Sequence, residues 1–172
     1  VRLGTVTPLT VPFAKDASAG RPVALGPALA VCTTNGSDGV EGTTDDALAI
    51  LSDLGGTNVV TSVPVGATGD DNNCRPARVS APTCALVTFG PDATAGTPDD
   101  VVTVVDIPAS AAQSVRHVTV GAVATGTTSS VVAVSSRSVL VATGGPDGTV
   151  GTLDDTLAVI DSLDGTPTTT PV

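Results

Sequence analysis

The chain has 172 residues, and its seven basic against seventeen acidic side chains give a formal charge of −10, which would repel a phosphate backbone and excludes nucleic acid as an expected partner. Trp, Tyr and Met are absent, and Phe13 and Phe89 are the only aromatic residues, so any core must be assembled from Val, Leu, Ile and Ala. No stretch approaches the roughly 20 continuous apolar residues of a membrane helix, so no membrane span is expected.

Short apolar runs rich in β-branched residues and bounded by Gly, Pro and Asp predict strands rather than helices. In chain order they cover residues 5–11, 21–25 and 28–32, then 47–51, 59–65, 77–80 and 85–89, then 101–105, 114–120, 131–135 and 138–142, and finally 156–160. Between 28–32 and 47–51 lies the acidic segment 36–46, and the same eleven-residue pattern, G-x-D-x-x-x-G-T-x-D-D, returns at 90–100 and 145–155. Its first aspartates, Asp38, Asp92 and Asp147, stand 54 and 55 positions apart, a spacing that marks a true internal repeat. Each acidic segment is expected to connect the two strands of a hairpin.

The expected organisation is all-β, with three tandem four-stranded repeats of about 55 residues: 1–54, 55–109 and 110–164. Residues 165–172 line up with 56–63 and read as a spare strand or tail, which needs a partner because an unpaired strand edge is a pairing template. Cys74 and Cys84 would close a short disulfide loop in an oxidising compartment, leaving Cys32 over.

The strand Thr156-Leu-Ala-Val-Ile-Asp161, followed by the turn Asp164-Gly165-Thr166, resembles the ending of a blade in bacterial TolB-like and WD40-like β-propeller repeats. The phrase Gly145-Pro-Asp-Gly-Thr-Val-Gly-Thr-Leu-Asp-Asp155 is similar to loops found between the third and fourth strands of such blades in large bacterial surface proteins. The resemblance implies propeller-type blades. Propellers typically close with four to eight, so three blades imply several chains in one ring or a longer repetitive polypeptide. A stack of β-sandwich-like units or a solenoid filament subunit ranks second, and a β-trefoil third.

The pattern has chemistry of its own. Calcium takes six to eight oxygen ligands, and glycine-permitted turns present carbonyls beside carboxylates. The expected ligands are Asp38, Asp45 and Asp46 in the first loop, Asp92, Asp99 and Asp100 in the second, and Asp147, Asp154 and Asp155 in the third. Ten of the seventeen acids fall in these loops, counting Glu41, a concentration that a counter-ion would relieve. The competing reading is that Asp and Gly are simply good hairpin residues.

His117, the only histidine, sits beside Arg116 in an expected strand and reads as a solvated strand residue rather than a general base. With no G-x-S-x-G elbow and no aromatic sugar platform, catalysis is not expected. Asp70-Asp71-Asn72-Asn73 reads as a hydrated turn, and Asn35-Gly36-Ser37 is a formal glycosylation sequon. The sequence therefore points to a secreted or cell-surface, calcium-binding structural or adhesive protein that associates with copies of itself in a filament or surface layer. The alternative is a calcium-dependent, glycan-binding module.

Overall fold

The computed structural model describes residues 9–11, 22–69, 75–109, 112–123 and 131–172. Residues 5–8 of the first expected strand, Arg21, the expected turn at 70–73 and Cys74 lie outside that set. Twelve strands follow in chain order: β1 (Val23–Gly26), β2 (Leu29–Thr34), β3 (Ala47–Ser52), β4 (Val59–Pro64), β5 (Ala77–Ser80), β6 (Thr83–Thr88), β7 (Val101–Asp106), β8 (Ser114–Thr119), β9 (Val132–Ala133), β10 (Val139–Thr143), β11 (Thr156–Asp161) and β12 (Thr168–Pro171).

They form three four-stranded antiparallel meanders: sheet 1 (β1–β4), sheet 2 (β5–β8) and sheet 3 (β9–β12). The described residues contain no helix, as the short β-branched runs require. All three sheets are open, and the closed barrel of the trefoil alternative is not formed.

The sheets are out of phase with the sequence repeats. β4, which opens the second repeat, pairs with β3 and completes sheet 1 in the register Ala47↔Pro64 to Ser52↔Val59. β8 likewise completes sheet 2. β12, expected as a spare strand, pairs with β11 from Ala158↔Pro171 to Asp161↔Thr168. Its partner lies within the chain.

Central strands β2, β3, β6 and β7 are buried on both faces, which explains their unbroken apolar composition. One face of sheet 1 (Val31, Leu48, Ile50) meets Cys84, Leu86 and Val105 of sheet 2. The opposite face of sheet 2 (Ala85, Val87, Val102, Val104) meets Val139, Val141, Ala158 and Ile160 of sheet 3. Sheet 2 is thus covered on both sides. The outward face of sheet 1 carries Ala30, Cys32, Ala49 and Leu51, all buried, with Val11 packed against them. The first strands of the three sheets are neighbours, β1 against β5 and β5 against β9.

Cys84 sits in the first inter-sheet core as a free thiol rather than in the expected bridge. Burial, with a smaller contribution from the charge of Asp106, pushes its pKa up to about 12 and leaves it unreactive.

Candidate functional site

The three acidic loops connect β2 to β3, β6 to β7 and β10 to β11, closing hairpins at Thr34↔Ala47, Thr88↔Val101 and Thr143↔Thr156. Each residue of the repeated pattern has a structural cause. The leading glycines, Gly36, Gly90 and Gly145, hold φ between 58° and 65°. A Cβ on any of them would collide with the main chain of Asp45, Asp99 or Asp154 respectively. Only glycine fits where the two ends of the loop cross.

Two residues on, Asp38, Asp92 and Asp147 each accept a 2.7 Å hydrogen bond at Oδ1 from the N–H of Val40, Thr94 or Thr149, a local turn typical of aspartate. The first carboxylate of each pair reaches back across the loop. Oδ2 of Asp45, Asp99 and Asp154 accepts the N–H of Asp38, Asp92 and Asp147 at 3.1, 3.2 and 3.1 Å. Oδ1 of the same residues accepts the hydroxyl of Thr43, Thr97 and Thr152 at 2.6, 2.7 and 2.5 Å. In the first loop Ser37 adds its N–H and hydroxyl, where proline follows the glycine in the other two. These bonds favour the ionised form. The Ser37 and Thr43 hydroxyls hold Asp45 well below the usual carboxylate range, and the Thr97 and Thr152 hydroxyls lower Asp99 and Asp154.

The second carboxylate of each pair has a different job. Asp46 Oδ2 accepts the N–H of Gly42 at 3.0 Å and both the N–H and hydroxyl of Thr68 at 2.8 and 2.9 Å. Asp100 Oδ2 accepts the N–H of Gly96 at 2.8 Å and of Val123 at 2.9 Å. Thr68 and Val123 belong to the segments leaving β4 and β8 for the next sheet. Their start is held as well, because Val65 and Val120 donate to the backbone carbonyls of Asp46 and Asp100. The same segments accept the N–H of Phe89 and Gly144 from the following sheet, at Ala67 O and Ala122 O. Each of these aspartates therefore latches one sheet to the crossover into the next. Both are fully buried, and burial raises the pKa of Asp100. Asp155 keeps the Gly151 bond at 2.8 Å and is exposed.

The nine aspartates thus serve three separate purposes along each loop. Among the described residues no three His, Cys, Asp or Glu side chains cluster closely enough to hold a metal ion. Asp46 Oδ1 and Asp100 Oδ1 are the loop carboxylate atoms left buried without a hydrogen-bond partner. Asn35, the sequon residue, donates Nδ2 to Gly39 O at 3.3 Å within its own loop.

A groove of about 600 Å³ separates the first two loops and is lined by Thr44, Pro64, Asp99, Val101, His117 and Thr119. His117 Nδ1 lies 2.9 Å from Thr103 Oγ1, which lies 2.7 Å from Thr88 Oγ1. A threonine pair therefore orients the imidazole. Sequence reasoning did not identify the latch partners Thr68 and Val123, since a backbone N–H leaves no mark in composition. The one signal was the recurrence of Gly-Ala at 66–67 and 121–122. Comparison of the chain with family models, curated proteins and solved structures returns no match.

Proposed function

We propose that the chain is a structural or adhesive β-repeat module of the cell exterior that associates with copies of itself and carries out no catalysis. The observation behind this reading is the doubled latch. Asp46 and Asp100, at equivalent positions in two repeats, both bind the crossover to the next sheet, so the loop acids are engaged in holding units together. Four-stranded meanders whose first strands neighbour one another support a blade-like arrangement of the propeller type. His117 bonds a threonine hydroxyl rather than the carboxylate that commonly orients a catalytic base.

Calcium binding in the loops is the second reading, favoured by the unpartnered, buried Oδ1 atoms of Asp46 and Asp100. Most other loop carboxylate oxygens already accept hydrogen bonds, so the ion would be held weakly. Extracellular modules work in that regime, with Kd of about 10⁻⁴–10⁻³ M.

Sedimentation velocity over a wide concentration range, with calcium and with chelator, tests both parts. The expected result is a concentration-dependent rise in sedimentation coefficient, and a higher melting temperature with calcium that Asp46→Asn and Asp100→Asn abolish. A chain that stays monomeric throughout would refute the self-associating module. A melting temperature indifferent to calcium would refute the ion.

A further inference from the structure

The groove between the first two loops departs from the internal repeat at its polar groups. Two residues past each hairpin closure, the central strand carries Ala49 in β3, Thr103 in β7 and Ala158 in β11, all at most 4% exposed. Alanine serves in two sheets, so the fold requires no hydroxyl at this position. In β7 the buried hydroxyl nevertheless joins Thr88 at 2.7 Å and His117 Nδ1 at 2.9 Å. Across the register the matching residues are Ser62, His117 and Pro171, so the imidazole and the threonine that orients it enter the same sheet together. The groove along sheet 1 holds Asp45 and Ser62 but no imidazole. Oriented polar groups converging on an apolar-walled cleft are the usual form of a small-ligand site.

The lining also sets the sign of the ligand. Asp99 stands in the wall, and among the described residues no Lys or Arg lines the groove. The Thr97 hydroxyl and the Asp92 N–H hold this carboxylate ionised, while both of its oxygens retain acceptor capacity. An anion would be repelled by Asp99 and by the net charge of −10, whereas a cation is attracted by both. Pro64, Pro91 and Val101 supply the apolar wall. We propose that the groove binds an alkylammonium group, an amine on a short hydrocarbon stem, with Asp99 as its counter-charge, His117 Nε2 as its hydrogen-bond acceptor, and the prolines and Val101 against the stem. In this arrangement His117 Nδ1–H donates to Thr103 and Thr103 donates to Thr88, which leaves the Nε2 lone pair for the ammonium. Thr103 and Thr88 are positioning residues. This binding goes beyond the self-association and calcium readings and depends on neither.

The test titrates the full chain, in chelator, with 1,4-diaminobutane by calorimetry, while NMR follows the ring signals of His117, the sole histidine. Saturable binding at a single site should appear, with the ring signals moving along the same isotherm. Asp99→Asn should weaken binding about tenfold or more, whereas Asp161→Asn, an equal change of net charge at an exposed position of β11, should leave it unchanged. Thr103→Ala, which installs the residue found in the other two sheets, should keep the circular dichroism spectrum, weaken binding and move the ring signals of the unliganded protein. Thr103→Ser should restore both. Equal losses in Asp99→Asn and Asp161→Asn would mean diffuse charge attraction and overturn the site. So would binding without a response at His117, a Thr103→Ala variant that binds as wild type does, or tighter binding of acetate than of the amine. Nα-acetyl-lysine amide separates the two sources of the group. Affinity equal to that of the diamine assigns the groove to a partner's lysine side chain, and affinity for the diamine alone assigns it to free amines, each a form of the proposed ligand.

Discussion

Asp46 and Asp100 are wholly buried, whereas Asp155, at the same place in the third loop, is exposed. The three share one glycine bond, from Gly42, Gly96 or Gly151, and differ in whether a crossover N–H completes the set. Asp100→Ala would leave the buried N–H of Val123 and the half-buried N–H of Gly96 without an acceptor, and should cost about 3 kcal/mol of unfolding free energy, since hydrogen bonds to charged groups are worth roughly 1.5–3 kcal/mol each. Asp155→Ala should stay within about 0.5 kcal/mol of wild type, as a surface change removing one exposed bond. Urea denaturation of the two variants reads the contrast directly. Equal effects would mean that the carboxylates are loop fittings only and do not join sheets.

At the scale of the loop, ionisation and shape are coupled. Asp45, Asp99 and Asp154 are lowered from 3.8 by hydrogen bonds to threonine and backbone donors, so their stabilisation is present in full above pH 3.8 and is lost as pH falls toward the lowered values. Asp100 is raised by burial and works in the opposite sense, favouring the fold at low pH and losing that contribution as pH rises through its elevated pKa. With three groups against one, acidification below pH 3.8 should loosen the loops. A carboxylate titration by NMR should also find Asp99 moved back toward 3.8 in Thr97→Val, because that hydroxyl is the largest cause of its shift. The hairpins were legible in the sequence, because the 54- and 55-residue offsets and the β-branched runs mark β2 and β3, β6 and β7, and β10 and β11 independently of tertiary context. The sheet to which the strand at 59–65 belongs was not legible. A period has no natural starting point, and only the pairing of Leu48 with Val63 decides that this strand ends one sheet rather than opening another. Nor could composition separate an aspartate that ligates from one that latches, since both require the same oxygen at the end of the same hairpin.

For the whole molecule, coverage is uneven. Sheet 2 is packed on both faces, sheet 1 carries Val11 on its outer side, and sheet 3 presents one face openly. Repeat assemblies of this kind draw stability from their neighbours, so opening should follow that coverage. Native-state hydrogen exchange should find the amides of β6 and β7 slowest and those of β12 fastest, and a uniform rate across all three sheets would contradict the stacked arrangement. Because β4 and β8 complete one sheet while belonging by sequence to the following repeat, neighbouring units overlap like roof tiles. A pull along the backbone cannot peel off one tile alone. It must first strip the closing strand from the tile before, and so force is shared across each join instead of falling on a bare linker.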